Sequence, residues 1–460
     1  DSSTNQTLSG TISGAGTLKK TTSESSRLRL TGTNSSYSGT INADAGILSI
    51  GSNAALGTTA GTTTIGTAST AATLEVDNNI TISEPITIRG DGVTESAATV
   101  GAIRNTSGTN TISGQVTMAA ASQVQIDSDS SLTLSGGVTG TNVNLTVDGV
   151  GTSSIAAVTT GSGTITKQGA GTLTLSGANT FTGSTTIADS GGTIAVTGTL
   201  GAGSTPASYS ASITLGSSTI LEFASTSDQV LTSVIADGAG VTSSFAEVKK
   251  TTGTTSTLTL SGNNTYSGAT TVSGGTLKVS HSNALGTTTS GTTVASGATL
   301  EVAGAGSLST GEPMTISGTG VSAVGAINFS ANATVSGAVT LNATSSVGAA
   351  TSTTGVISGL ISESVGSAKG LTKVGAGTVT ISGANTYTGT TSVSVGTLLL
   401  GAAGSVPDSS AVVVSNNATF DLAGYDETVA SIATSTSSDT AAGISLSTTS
   451  ASNTLTTASN

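Results

Sequence analysis

Aliphatic and polar residues alternate in short runs along most of this 460-residue chain. In Thr172-Leu173-Thr174-Leu175, for example, the leucines and the threonines fall on opposite faces of an extended segment. Glycine, asparagine or aspartate bounds nearly every such run, as tight turns require. No tract repeats its apolar residues at the spacing of an α-helix. The pattern predicts an all-β protein with no helical domain, in which the aliphatic side chains point inward.

One stretch, Gly169–Val196, recurs in altered form at residues 28–50, 258–279 and 375–400. Its two alternating pairs lie 19 to 21 residues apart in all four copies. A return in register after about 20 residues is typical of one coil of a β-solenoid, which buries its apolar face against the next coil. The recurring aliphatic and aromatic positions are Leu28, Leu30 and Tyr37, Leu173, Leu175 and Phe181, Leu258, Leu260 and Tyr266, and Val379, Ile381 and Tyr387.

This repetition predicts one continuous β-solenoid of roughly 20 coils over residues 1–460. We place the repeat units at about 16–57, 163–203, 248–286 and 370–404. Solenoid spacers are expected at 58–162, 204–247 and 287–369, with further coils at 405–460. In this register Leu175, Leu260 and Ile381 should be buried at equivalent corners, while the neighbouring threonines face outward.

The composition separates this chain from a disordered one and excludes several function classes. Only 8% of its residues are charged and 2% are aromatic, but its net charge of -12 and its mean hydropathy of +0.22 do not fit disorder. The absence of cysteine excludes disulfides, thiolate metal sites and a cysteine nucleophile. With twelve basic residues against 24 acidic ones, the sequence offers no basic surface that would bind nucleic acid. No apolar run is long enough to span a membrane as a helix.

The motif GAGTLTLSGANTFTG at 169–183, preceded by Lys167, resembles the passenger-associated repeat of bacterial autotransporters. Lysines hold the matching place in the other copies, at Lys19 and Lys20, Lys249 and Lys250, and Lys369 and Lys373. The resemblance covers most of the chain and implies a right-handed parallel β-helix. It also implies a secreted or cell-surface protein of a Gram-negative-type bacterium. Since the chain opens at Asp1 without a leader, we expect a mature or excised segment.

The aromatic position of each copy has two interpretations. In the first, the rings at Tyr37, Phe181, Tyr266 and Tyr387 are exposed platforms for sugars. The equal spacing from strand to ring in three of the copies favours the second, in which the rings pack on their own turns. We therefore treat these four residues as structural.

The tripeptide Arg89-Gly90-Asp91 resembles the integrin-binding signal of host-directed adhesins. The sister spacer has Ser317-Gly-Thr319 at the matching place, within EPMTISGTG against EPITIRGDG. This comparison favours an ordinary turn, so exchanging the tripeptide for its sister is expected to leave fold and attachment unaltered. Arg89, Gly90 and Asp91 remain a candidate adhesion site.

Two further groups are candidates for chemistry. Asp127 and Asp129 are interpreted as two carboxylates on one strand, which would suit Ca²⁺ or acid–base catalysis, but the pattern favours two side chains that face solvent on one side of that strand. His281 is the only histidine and has no nucleophile motif beside it. We therefore predict no catalytic residue, no metal and no cofactor.

These observations predict a non-enzymatic extracellular β-helix, a rigid stalk or adhesin for attachment or biofilm. Its partners would be surface glycans or the surfaces of host and neighbouring cells, with no nucleic acid and no membrane insertion. A structural alternative is a filament subunit that self-associates through uncapped solenoid ends. A carbohydrate-cleaving β-helix is the enzymatic alternative, disfavoured because no cleft of clustered acids can be placed.

Overall fold

The computed structural model describes residues 4–22, 25–201, 205–252, 255–304, 308, 311–435, 443–445 and 454–458. Within these residues, the chain forms short β-strands joined by turns, and its one described helical element is a 3₁₀ turn at Val321–Ala323. Apart from one antiparallel hairpin at residues 94–99, the strands stack in parallel as a β-solenoid of about 19 turns. The predicted all-β class and solenoid architecture are confirmed, and the number of turns is close to the roughly 20 coils expected. The right-handed winding of the coils stays a prediction.

The strands are given in chain order. The first eighteen are β1 Gln6–Leu8, β2 Ser13–Gly14, β3 Leu18–Lys20, β4 Arg27–Leu30, β5 Ser36–Tyr37, β6 Thr40–Ala43, β7 Gly46–Ile50, β8 Thr62–Ile65, β9 Ala72–Val76, β10 Thr81–Ile82, β11 Ile86–Gly90, β12 Thr94–Glu95, β13 Ala98–Thr99, β14 Ile103–Asn105, β15 Gly108–Ile112, β16 Val116–Ile126, β17 Ser130–Leu134 and β18 Val138–Gly140. The next eighteen are β19 Leu145–Gly149, β20 Thr152–Ile155, β21 Val158–Thr159, β22 Ile165–Lys167, β23 Thr172–Leu175, β24 Ala178–Asn179, β25 Thr185–Ile187, β26 Thr193–Val196, β27 Thr199–Leu200, β28 Ala207–Tyr209, β29 Ile213–Leu215, β30 Ile220–Phe223, β31 Gln229–Leu231, β32 Ile235–Asp237, β33 Glu247–Lys250, β34 Thr257–Leu260, β35 Thr270–Val272 and β36 Thr276–Val279. The last eighteen are β37 Thr292–Val294, β38 Thr299–Val302, β39 Met314–Gly318, β40 Ile327–Phe329, β41 Ala333–Val335, β42 Val339–Ala349, β43 Thr354–Ile357, β44 Ile361–Glu363, β45 Leu371–Val374, β46 Thr378–Ile381, β47 Thr391–Val393, β48 Gly396–Leu400, β49 Ala411–Val414, β50 Ala418–Asp421, β51 Glu427–Val429, β52 Ser431–Thr434, β53 Gly443–Ser445 and β54 Leu455–Thr457.

The chain divides into two compact units. The first contains residues 1–222 and 237–246, and the second contains 223–236 and 247–460. The expectation of one continuous solenoid over the whole chain therefore stays a prediction, and each unit is described by itself.

In the first unit, consecutive coils place like positions directly above one another. Strands β17, β20, β23 and β26 pair in parallel and align one buried column, formed by Leu134, Ile155, Leu175 and Val196. Because the side chains of a strand alternate, Thr172 and Thr174 lie on the outer face and are half-exposed. Each fully buried aliphatic side chain stabilises the stack by roughly 1.5–3 kcal/mol.

The second unit repeats this arrangement. Strands β31, β34, β36, β38 and β40 align the buried column Leu231, Leu260, Val279, Val302 and Phe329. Strands β43, β46 and β48 align Ile357, Ile381 and Leu400 in the same way. The long strands β16 and β42 occupy matching places after the two Glu-Pro motifs. Coil-on-coil stacking is therefore what builds the core of each unit.

Candidate functional site

The structure places the twelve recurring positions on the inner side of the coils. Eleven of the twelve side chains are at most 3% exposed, and Leu28 is half-buried. The four aromatic rings are among the eleven, so they present no ring face on which a sugar could stack. These positions form the core of each repeat.

The buried tyrosine hydroxyls bond inside the repeat. Tyr266 Oη lies 2.7 Å from Thr270 Oγ1, and Tyr387 Oη lies 2.7 Å from Thr391 Oγ1. The hydroxyl of Tyr37 instead lies 2.7 to 3.1 Å from three backbone groups. Burial raises the pKa of Tyr266 and of Tyr387 well above the usual range, because the phenolate would be desolvated. Tyr266 and Tyr387 therefore act as neutral hydrogen-bonding groups.

A buried asparagine joins three successive coils in every repeat. In the third repeat, Asn264 Oδ1 accepts the N–H of Ile235 at 2.9 Å, and Nδ2 donates to the carbonyl oxygen of Ala284 at 2.6 Å. The same pair of bonds, at 2.6 to 3.0 Å, is made by Asn34, Asn179, Asn264 and Asn385. The sequence interpretation missed this residue. Its signal was an asparagine two residues before the aromatic, or three in the first copy.

A buried lysine precedes the first alternating strand of every repeat. The four are Lys20, Lys167, Lys250 and Lys373, each at most 7% exposed. Lys373 Nζ donates to the carbonyl oxygens of Val374, Gly375 and Val395 at 2.7 to 2.9 Å. Burial lowers the pKa of Lys167 and of Lys373 to about 8, since the ammonium group loses its hydration.

The structure also distinguishes the two lysines of each doublet. Lys20 and Lys250 are buried, whereas Lys19 lies 3.5 Å from Asp44 and Lys249 lies 2.9 Å from Glu247 in ion pairs on the surface. The inner lysine therefore belongs to the repeat motif, and the outer one to the surface.

Buried glutamates follow three of the repeats, at Glu84, Glu312 and Glu427. Glu84 accepts the hydroxyl of Thr63 at 3.0 Å, and Glu312 accepts that of Thr292 at the same distance. In the part of the chain that the structure describes, the second carboxyl oxygen of each glutamate has no hydrogen-bond partner. Burial raises the pKa of all three to about 7, because the carboxylate form would be desolvated.

The tripeptide Arg89-Gly90-Asp91 forms a turn at the end of β11 with the same backbone as its sister. Gly90 has a φ of +79° and Gly318 has a φ of +74°, a region that favours glycine. The carbonyl oxygen of Asp91 accepts an N–H at 2.8 Å, and that of Thr319 accepts one at 2.9 Å. The backbone of this turn therefore does not depend on the identity of residues 89 and 91.

The other candidate residues do not come together as a site. The prediction that Asp127 and Asp129 share a strand is wrong: β16 ends at Ile126, and Asp129 lies in a turn with a φ of +56°. Asp127 is instead ion-paired with Arg104 at 2.9 Å. His281 Nδ1 accepts a backbone N–H at 3.0 Å. Among the described residues, no group of three or more His, Cys, Asp or Glu side chains is placed to hold a metal ion.

The recurring lysine, asparagine and aromatic define the class of this protein as a β-solenoid with a buried polar motif in each repeat. The family model described as Passenger-associated-transport-repeat matches residues 23–50, 165–196, 252–279 and 371–400. The chain thus carries four passenger-associated-transport repeats, which are consistent with an autotransporter passenger domain. The predicted resemblance is confirmed. No curated protein and no solved structure matches the chain. No described helix has the length and apolarity needed to cross a membrane.

Proposed function

We propose that this chain is a non-enzymatic, surface-exposed passenger that serves as a rigid stalk and adhesive surface. The observation that carries the proposal is where the recurring polar residues make their bonds. The lysine, asparagine and tyrosine of the repeat form hydrogen bonds within and between coils. Lys373, for example, donates to three backbone carbonyl oxygens. Groups engaged in this way stabilise a stack and are not presented to a substrate.

The family supports export, because passenger-associated-transport repeats imply a secreted or cell-surface protein in Gram-negative bacteria. A stack of parallel coils suits such a role, since every strand satisfies its backbone on its neighbours and holds its outer side chains at fixed positions. Attachment to glycans or to other cells would use this outer surface.

The test compares bacteria that display the full chain with bacteria that display Leu260→Asp. Leu260 is fully buried, so this variant disrupts the stack, whereas the adjacent Thr259 is half-exposed and Thr259→Asp is the matched control. Attachment to host cells and to polymer surfaces should rise with the native chain and with Thr259→Asp, and should fall with Leu260→Asp.

The purified chain is then incubated with polysaccharides and peptides. Release of reducing ends or cleaved peptides would contradict the non-enzymatic proposal. Concentration-dependent scattering from fibres would favour the filament subunit instead.

A further inference from the structure

The basic side chains of this protein are almost all engaged. Six of the twelve form ion pairs, namely Lys19, Arg27, Arg29, Arg104, Lys249 and Lys278. Five more donate to backbone carbonyl or serine oxygens, namely Lys20, Lys167, Lys250, Lys369 and Lys373. Over the described residues, Arg89 is the only lysine or arginine that has neither kind of acceptor. An unpaired guanidinium is therefore the exception in this acidic chain.

The carboxylate on the other side of the turn is also unengaged. Asp91 is exposed, and within the residues that the structure describes its side chain makes no hydrogen bond or ion pair. The fold does not require either side chain, because Ser317 and Thr319 occupy the same positions of the same turn. Two opposite charges are thus held at the ends of a fixed turn without an internal partner.

The two sister turns differ in how they are covered. A Cβ placed on Gly318 would lie 2.6 Å from the hydroxyl oxygen of Ser296 on the adjacent coil. A Cβ placed on Gly90 would meet no atom within 4 Å. At its central glycine the 89–91 turn is therefore open and the 317–319 turn is closed by the Ser296 side chain, while the flanking residues of the two turns have the same exposure. The sequence comparison favoured an ordinary turn because it aligned Arg89-Gly90-Asp91 with Ser317-Gly-Thr319, but it could not show this difference.

We propose that the Arg89–Asp91 turn is a docking site for a cell-surface receptor that offers a carboxylate to Arg89 and a bound divalent cation to Asp91. A guanidinium pairs with a carboxylate through two parallel hydrogen bonds, and a free carboxylate oxygen is a preferred ligand of Mg²⁺ and Ca²⁺. An acidic receptor without a bound cation would repel a chain with a net charge of -12. The divalent cation is therefore needed, because it offsets this repulsion where it contacts Asp91. This inference rests on the proposed adhesive function and assigns it a partner class.

The test uses the purified full chain immobilised on a sensor, with the ectodomain of an Arg-Gly-Asp-binding integrin as the probe in Mg²⁺ and Ca²⁺. Arg89→Ser with Asp91→Thr installs the sister sequence, and Arg89→Asp with Asp91→Arg keeps the composition but reverses the charges. Both are expected to weaken binding by about tenfold or more, and chelation of the divalent cations should abolish it. Because these side chains have no internal partner, the melting temperatures should stay within about 2 °C of the native value.

A third variant separates the open turn from the tripeptide itself. In the Arg89→Ser, Asp91→Thr background, Ser317→Arg and Thr319→Asp transfer the tripeptide to the closed turn, where binding should not return. Recovery of binding there would overturn the role of the open turn. Equal binding by the native chain and the first two variants, or no binding by the native chain, would overturn the proposal. Attachment to cells in the displayed-chain assay would persist in that case, so the adhesive function stands or falls separately.

Discussion

The rings of Phe181 and Tyr209 meet edge to face, with their centroids 5.5 Å apart and an angle of 67° between their planes. The hydroxyl of Tyr209 lies 2.8 Å from Thr185 Oγ1 and donates to the carbonyl oxygen of Gly183. In the third repeat, Tyr266 itself bonds the corresponding Thr270. The second repeat has phenylalanine at that position, and a tyrosine from further along the chain supplies the missing hydroxyl.

This pairing predicts a specific pattern of coupling. Tyr209→Phe leaves a buried threonine hydroxyl and a carbonyl oxygen without their partner, which should cost about 1–3 kcal/mol of unfolding free energy. Adding Phe181→Tyr should recover part of that loss, because Tyr266 and Tyr387 reach their threonines from the same position. Urea unfolding of the two single variants and the double variant measures the coupling. Tyr425→Phe, at an exposed position, is the control. If the unfolding free energies of the two single variants simply add in the double variant, then a tyrosine at 181 does not replace the hydroxyl of Tyr209.

The register of the strands predicts how the core responds to charge. Leu260→Asp places an unpaired carboxylate in a fully buried column and should cost several kcal/mol, lowering the melting temperature by about 10 °C or more. Thr259→Asp places the same charge on the outer face, in register with Lys278, and should change stability by less than about 0.5 kcal/mol. Differential scanning calorimetry of both variants is the measurement. Equal losses would mean that the assigned faces are wrong.

The apolar part of the fold could be predicted because alternation assigns each residue of a strand to one face. Leu175, Leu260 and Ile381 lie in the buried columns for this reason. The polar part could not be predicted in the same way. Asn264 and Lys373 are buried because backbone groups of adjacent coils form hydrogen bonds with them: the N–H of Ile235 donates to Asn264, and the carbonyl oxygen of Val395 accepts from Lys373. Such contacts depend on the stacking of coils, which a single period of the sequence does not contain.

The tract at residues 206–252 illustrates the same limit. Tyr209 is an isolated aromatic in the sequence, and its role becomes visible only when Phe181 is seen beside it. Likewise, two of the buried glutamates, Glu84 and Glu312, lie in the Glu-Pro motif that recurs in the sequence. Glu427 has no proline after it, so the sequence pattern did not identify it. The tail after 435 lies largely outside the described residues.

The buried titratable groups predict a minimum of stability near pH 7 to 8. Glu84, Glu312 and Glu427 have a pKa of about 7 in the folded chain against 4.5 for an unburied glutamate. Between these values the unfolded state releases its protons first, so stability falls as the pH rises from 4.5 to 7. The loss is up to about 3 kcal/mol for each group.

The buried lysines act in the opposite direction at higher pH. Lys167 and Lys373 have a pKa of about 8 against 10.5 for an unburied lysine, so the folded state releases its protons first and stability rises from pH 8 to 10.5. Melting temperatures at pH 5, 7.5 and 9.5 test both limbs. The triple variant Glu84→Gln, Glu312→Gln and Glu427→Gln should flatten the acid limb only. A stability maximum at pH 7.5 in the native chain would rule out the prediction.

The asparagine bridge predicts the largest effect of a single polar substitution. Asn264→Ala leaves the N–H of Ile235 and the carbonyl oxygen of Ala284 without these bonds, and both lie at the buried side of their coils. At about 1–3 kcal/mol for each group, the variant should lose about 2–6 kcal/mol. Asn264→Asp keeps the acceptor oxygen and removes the donor, but its charge would also be desolvated, so it should not rescue the loss.

The control for this substitution is Asn328→Ala, since the Asn328 side chain makes no hydrogen bond in the part of the chain that the structure describes. Urea unfolding gives the free energies, and amide hydrogen exchange locates the effect. The Ile235 amide should exchange faster in Asn264→Ala because its acceptor is the Asn264 side chain. Asn385→Ala removes the same bridge from the fourth repeat and should add to Asn264→Ala, as the two sites share no partners. If Asn264→Ala proved as stable as Asn328→Ala, the asparagines would not be what ties neighbouring coils together.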